Sequence, residues 1–431
     1  MKRIRGVATA AYAAGSFGTG VFSTVPTILL LYFCTEVLRL PPDWATAIVF
    51  VPKIWSIVWD PFVGAWSDRT VTILGRRRPF LLVGTVGVAL AFVAVFSPPA
   101  AESSSVALWM AIAYFLLTTV YSLFAVPYVA IPAELGRDGD VRARLTSWRM
   151  FVAMLGVLTG AGLVPLLVQT YGGGRDGYAA MSVRVALACA LAMSAPIFML
   201  RGRDPRRTSG GGRASSQWRE VWVALADAQF ITLLCAYLLQ LTAVGMISAT
   251  TPYLVTKCLG RAEASIGTAM FATFVVTALT IPLWSLAGRR WGETRMLVAG
   301  ATLYAASATT LGALTLAHFS WLAVLGAYAV LGSAIAALQV LPYTLVAHLI
   351  HGEGESGTRA EASLMGVWTA TEKLGLALGP AVTGLVLWVS AGSVNTALPT
   401  LILIGPAFLA VMSLALLRWA AARSATPASL A

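Results

Sequence analysis

The stretch WDPFVGAWSDRTVTILGRRRPF, residues 59–80, decides the fold. It opens inside an apolar run that carries one acid, Asp60, and leaves that run at Ser67 and Asp68. A short turn then brings Arg76, Arg77 and Arg78, after which Pro79 starts the next apolar run. Proline suits the first turn of a helix, and arginines between two apolar runs mark the cytoplasmic side of a membrane protein. The pattern predicts two membrane helices joined by a short basic loop.

Outward from this stretch the same alternation repeats along the chain. Of its 431 residues 58% are hydrophobic and 11% charged, and the mean hydropathy is +0.79. Soluble domains carry about a quarter charged residues. A membrane helix needs roughly 20 mostly apolar residues. Twelve such windows are present, at about 10–38, 43–65, 79–97, 106–132, 147–170, 179–200, 228–256, 264–287, 295–316, 320–345, 362–391 and 396–420. The fold class expected is an all-α membrane protein of 12 transmembrane helices in two six-helix halves. The halves are residues 1–200 and 228–420, with a linker at 201–227 and a tail at 421–431. The linker contains RGRDPRRTSGGGRASSQ, a composition of flexible connectors. A faint echo supports duplication: Gly64, Trp66, Ser67 and Asp68 followed by Gly75, Arg76 and Arg77 resemble Trp284 and Ser285 followed by Gly288, Arg289 and Arg290. Two such halves suit a solute site near the bilayer midplane, exposed to each side in turn.

The net charge of +12 raises the question of nucleic acid, which the distribution answers. Most of the 30 Lys and Arg residues fall in alternate loops, whereas the opposite loops hold Arg39, Arg175, Arg184, Lys257 and Arg261. The positive-inside rule then places both termini in the cytoplasm of a multi-pass cytoplasmic-membrane protein. The basic charge is a topology signal, so no nucleic-acid partner is expected. The expected partners are the lipid bilayer and a small-molecule substrate, with the chain acting as a monomer. The basic start MKRIRG runs into an apolar stretch longer than a signal-peptide core, which predicts a retained first helix. Cys34, Cys189, Cys235 and Cys258 are too scattered for a disulfide framework or a zinc ribbon. His348 and His351 have helical spacing but no third ligand in view, so no metal and no cofactor is expected.

The residues that carry chemistry are charges at membrane depth. Asp60 lies about two-thirds through the second window, where a charge costs about 2.5–3.5 kcal/mol on insertion scales. Steps of three and four residues put Lys53, Ser56, Asp60, Gly64 and Ser67 on one stripe, a polar face turned to the bundle interior. Asp60 either binds a coupling cation or proton, or forms a fixed ion pair with Lys53 or another base. Lys53, Arg149 and Lys373 also enter apolar surroundings, against Asp60 and Glu372 alone. Either a central cavity takes an anionic group, or some of these bases reach back to an interface. Lys373, one turn after Thr369, reads as a cavity residue. Asp68 with Arg76, Arg77 and Arg78 reads as both a topology anchor and a cytoplasmic gate whose charge-assisted bonds exist in one access state. Pro127 and Pro132 bracket Tyr128, and either expose backbone carbonyls to a cavity or make a packing kink.

Several runs occur in a telling order: Lys53 through Asp60 and Gly64 to Pro79, Val126 to Leu135 with Tyr128 and Glu134, and Arg142 to Met150. Tyr253 to Gly260, Thr358 to Glu361 and Glu372 to Gly375 follow in the second half. On these runs, over most of its length, the chain resembles the glycoside–pentoside–hexuronide:cation symporter family of the major facilitator superfamily. The resemblance implies the major facilitator fold, with Gly64 and Glu134 joining the gate. The family's cation site is a pair of acids four residues apart, and here the first is Ser56 and the second Asp60. One carboxylate suits a proton better than sodium, although Ser56 still offers one oxygen. Gly20, Ala125 and Val129 stand where family members carry sugar-gripping acids and a tryptophan. Tyr121, Tyr128, Arg149, Lys373 and Thr369 remain as substrate-binding candidates.

The function expected is proton-coupled symport of a sugar-like or glycosidic solute by alternating access, with H+ favoured over Na+. The alternative is an exporter or flippase for an amphipathic or anionic molecule such as a lysolipid. A membrane-embedded enzyme is disfavoured because the outer loops are short and nearly uncharged, and a passive channel because of the two-half organisation.

Overall fold

The computed structural model describes residues 6–135, 139–200, 228–351, 357–390 and 394–424. They form α1 (Gly6–Tyr32), α2 (Pro42–Arg69), α3 (Arg78–Phe96), α4 (Ser103–Leu135), α5 (Gly139–Leu158, continued by Val164–Thr170) and α6 (Gly174–Met199). The second set is α7 (Ala228–Tyr253), α8 (Ala264–Trp291), α9 (Glu293–Leu316), α10 (Trp321–His351), α11 (Gly357–Val389) and α12 (Val394–Ser424). Twelve of the described helices are long and apolar enough to cross a membrane. The linker expected at 201–227 lies outside the described residues.

Two compact units result, one from Met1–Thr208 with Gly260–Phe271, the other from Ser209–Leu259 with Ala272–Ala431. In the first, α1 packs on α5 and α6, and α4 packs on α2 and α3. The first turns of α8 belong to this unit: the Ala264 N–H donates to Gln169 Oε1 at 2.8 Å. In the second, α7 packs on α11 and α12, and α9 on α10 and α12.

Apolar burial cannot drive helix association in lipid, so close packing of small residues has to. Gly20 of α1 meets Gly156 of α5, and Gly245 of α7 meets Gly379 of α11; a Cβ on Gly20 or Gly156 would strike the partner's backbone. The units also share a helix ending. α1 closes in a π-type turn, Phe33–Val37, with the Leu38 N–H bonded to the Phe33 carbonyl, and Arg39 follows at φ 58°. α7 closes in the π-type turn Leu254–Cys258, with the Leu259 N–H on the Leu254 carbonyl, and Gly260 follows at φ 59°. Left-handed backbone is easy for glycine and strained for arginine, so the conformation at Arg39 is imposed by its surroundings.

The loop after α2 turns tightly. Gly75 adopts φ 100°, its N–H bonds the Thr72 carbonyl at 2.9 Å, and Thr72 Oγ1 donates to the Gly75 carbonyl at 2.6 Å. This turn delivers Arg76, Arg77 and Arg78 to the end of α2.

Candidate functional site

Asp60 is positioned by a seam between α2 and α4. The indole N–H of Trp55 donates to Thr119 Oγ1, and that of Trp59 to the Thr119 carbonyl, both at 3.1 Å. The two indoles stack with centroids 5.5 Å apart, and Trp55 also packs on Phe115 of α4. Ser122 shares a face of α4 with Thr119, three residues on, and donates to Asp60 Oδ1 at 2.5 Å. A hydroxyl given to a carboxylate is a charge-assisted bond. Ser122 itself is buried.

The rest of the polar stripe points to other partners. Lys53 Nζ lies 3.5 Å from Thr27 Oγ1 of α1, and Ser56 donates to the Lys53 carbonyl at 2.8 Å. Lys53 and Asp60 thus reach from one helix to two different neighbours. Ser56 directs its proton to its own helix's backbone.

Behind Asp60 stands a cluster of tyrosines. Tyr121 donates to the Thr19 carbonyl at 3.3 Å and feels the charges of both Asp60 and Arg149. Arg149 acts through space on Tyr12 and Tyr128 as well. Tyr128 is 1% exposed. Its hydroxyl donates to the Tyr12 carbonyl at 2.5 Å and lies 2.8 Å from Ser16 Oγ, while Tyr12 donates back to the Tyr128 carbonyl at 3.2 Å. Tyr128 therefore clamps α1 to α4, and Pro127, which cannot donate a backbone bond, stands beside this clamp. The first unit brings together Asp60, Tyr121, Tyr128 and Arg149. Thr369 and Lys373 lie in the second unit, one turn apart on α11, Thr369 exposed and Lys373 half-buried beside Glu372.

At the end of α2 the expected gate residues form a knot. Arg77, 5% exposed, bonds Asp68 Oδ1 at 2.7 Å and donates to Ser67 Oγ at 2.5 Å. Arg76 approaches the same carboxylate oxygen at 3.5 Å. Arg78 Nε donates to the Ile197 carbonyl near the end of α6 at 3.1 Å. The ends of α2, α3 and α6 are thereby tied together. A Cβ on Gly64 would reach ordinary contact with Val126 of α4, at 3.6 Å. The side chains of Glu134, His348 and His351 lie outside the described residues.

The second unit carries a counterpart of the tyrosine clamp that sequence reasoning did not single out. Eight residues before the paired glycine of the first helix stand Tyr12 and Tyr237, and seven before that of the packed partner stand Arg149 and Glu372. Tyr128 follows Pro127, and Tyr343 follows Pro342. The rings of Tyr237 and Tyr343 lie 6.1 Å apart, and those of Tyr12 and Tyr128 lie 4.8 Å apart. Tyr343 donates to Glu372 Oε2 at 2.5 Å. The repeated Pro-Tyr pair was the signal that could have found this group.

A family model described as "MFS/sugar transport protein" matches residues 11–419. The chain is 25% identical over 386 residues to the "Putative glycoside/cation symporter YagG" of Escherichia coli K12, across 87% of this chain and 81% of that one. It is 20% identical over 300 residues to the sodium-dependent lysophosphatidylcholine symporter 1 of Xenopus tropicalis, across 61% of this chain and 56% of the relative. Among solved structures, the crystal structure of a D-xylose-proton symporter superposes with a TM-score of 0.71 at 14% identity, across 94% of this chain and 96% of that one. At that identity the likeness speaks to the fold. These relatives are transporters.

Proposed function

The chain belongs to the MFS/sugar transport protein family of multi-pass membrane transporters, and on that premise we propose that it is a proton-coupled symporter for a sugar-like or glycosidic solute. Asp60 is the titrating group, and both termini face the cytoplasm. The observation that carries this reading is the Ser122 hydroxyl held on Asp60 inside an apolar span, with Tyr121 under the influence of both Asp60 and Arg149. An acid that accepts from a hydroxyl inside an apolar span can take and release a proton by small adjustments. Sodium would ask for several hard oxygens at once, whereas on the α2 stripe the hydroxyl one turn from Asp60 is that of Ser56. Alternating access would then use the Asp68 and Arg77 knot as a cytoplasmic latch, intact in one state and broken in the other.

A second reading changes the cargo to an amphipathic or anionic molecule. Arg149 among three tyrosines supports it, as does the relative named for lysophosphatidylcholine transport.

A thermal-shift screen of the purified protein against neutral glycosides, glucuronides and lysolipids names the cargo class, since a ligand stabilises the state that binds it. The stabilising compound, radiolabelled, is then offered to proteoliposomes under an imposed proton or sodium gradient. Uptake driven by the proton gradient and uncoupled by Asp60→Asn is expected. Uptake driven by sodium alone, or coupling unchanged in that variant, overturns the assignment.

A further inference from the structure

Glu372 is the second acid at membrane depth. It lies in the span Gly366–Val389, half-buried, and accepts from Tyr343 of α10. Tyr237 of α7 and Trp368 of α11, both all but inaccessible, stack at 4.3 Å beside it, and Trp368 meets the ring of Tyr343 at 5.8 Å. The Trp368 indole N–H forms no hydrogen bond of good geometry, though both tyrosine hydroxyls are its neighbours. Phe230, Leu233, Leu241 and Val346 close the cluster.

The groups facing Glu372 can be taken helix by helix. α7 brings Tyr237 and α10 brings Tyr343, and the Glu372 charge is felt at both. On its own helix Lys373 follows and its charge is felt, but successive helical residues do not face each other. α12 adds Leu417, and Arg418 is the charged residue of its span. Among the described residues Glu372 thus has a tyrosine as its direct hydrogen-bond partner, where a structural ion pair would have a base. The equivalent place in the first unit holds Arg149, which is always charged. Packing of the repeat does not demand a carboxylate there. The repeat holds the same tyrosine pair in both units, with a permanent cation on one and a switchable acid on the other.

We propose that Glu372 is a proton-binding site of the second unit, gaining and losing a proton while Tyr343 keeps its bond to one carboxyl oxygen. In the protonated form the second oxygen carries the proton, and Tyr343 can donate in both forms. The site belongs to the second unit and Asp60 to the first, so the proposal holds whether the coupling ion proves to be H+ or Na+.

Infrared difference spectroscopy of the purified full chain during a pH titration tests this directly, with no solute needed. A carboxylic-acid carbonyl band that shifts in heavy water is expected to titrate in the parent and in Asp60→Asn, and to vanish in Glu372→Gln. Tyr343→Phe is expected to move its midpoint, which a tyrosine that merely packs would not do. If Glu372→Gln does not fold, Glu372→Asp and Tyr343→Phe carry the test through the band's frequency and midpoint. A pH-difference spectrum unaltered by these substitutions overturns the proposal. Sodium-driven uptake with the Glu372 band present would overturn only the role given to Asp60.

Discussion

Ser122 donates to Asp60 at 2.5 Å across the seam of α2 and α4, and it is held there by the two indoles that grip Thr119 one turn away. A hydrogen bond to a charged group contributes about 1.5–3 kcal/mol. A donor to the carboxylate favours its proton-free form, so Ser122→Ala is expected to tighten apparent proton affinity about tenfold or more in transport assays, with the fold retained. Ser122→Thr, which keeps the hydroxyl, should change it much less. Equal changes in both variants would show that the hydroxyl is not what matters.

The knot at the end of α2 distinguishes two neighbouring arginines. Arg77 is buried, with Asp68 at 2.7 Å and Ser67 as a second acceptor. Arg76 reaches the same carboxylate only at 3.5 Å. Asp68 itself is 56% exposed, so screening reduces both ion pairs. Arg77→Ala is expected to cost about 2–3 kcal/mol and Arg76→Ala under about 1, read as shifts in thermal unfolding in detergent. Comparable shifts would remove the distinction.

The membrane spans were legible because length and apolarity alone define them. The window 79–97 meets Arg78–Phe96, and 320–345 meets Trp321–Val346. Ends were less legible where a helix outruns its apolar part: α5 starts at Gly139, some residues before the expected 147, because the polar turn holding Arg142 and Arg144 is already helical. Asp60 stood out as an acid in an apolar run. Ser122 did not, since serines are common in membrane helices and this one is 62 residues away in sequence. Glu372 read as the neighbour of Lys373, whereas its partner Tyr343 lies 29 residues earlier. Tyr128 stood among the substrate-binding candidates through the family resemblance; its place in the α1 and α4 clamp depended on Tyr12, at a separation of 116.

That clamp gives a test separating structural from binding tyrosines. Tyr128→Phe deletes the donor to the Tyr12 carbonyl and the contact with Ser16. That carbonyl keeps its intrahelical bond, so the loss is that of a net hydrogen bond, about 0.5–1.5 kcal/mol. Lower thermal stability is expected, with KM little changed for the solute identified in the screen. Tyr121→Phe should do the reverse, because its bond to Thr19 is long and it faces Asp60 and Arg149. A KM effect at Tyr128 with stability intact would return that residue to the binding site.

The glycine contacts predict an asymmetry within one helix pair. A Cβ on Gly245 would meet the Leu376 carbonyl at 3.1 Å and the Gly379 Cα at 3.2 Å, a fit that small shifts relieve. A Cβ on Gly379 would strike the Gly245 backbone outright. Gly379→Ala is expected to abolish folded protein in size-exclusion profiles, whereas Gly245→Ala is tolerated with a modest loss of stability. The reverse ranking would contradict the packing of α7 on α11.

Between the seventh and eighth spans, Glu263 lies partly buried, with Oε2 lacking a hydrogen-bond partner and Tyr32 bonded to the carboxyl. Burial raises its affinity for a proton above the usual carboxylate value of 4.5, and the Tyr32 bond only partly offsets this. The sign of the pH effect follows. Below 4.5 the acid is protonated in both folded and unfolded chains and contributes no penalty. As pH rises from 4.5 through the higher folded value, the unfolded chain releases its proton first, so stability falls and then levels off. Glu263→Gln removes the ionisable group while keeping its shape. The variant is expected to unfold at a higher temperature than the parent at pH 7, with the gap closing as the pH approaches 4.5. A gap that is absent at pH 7, or that widens on acidification, would mean that the carboxylate is stabilised by its surroundings rather than strained by burial.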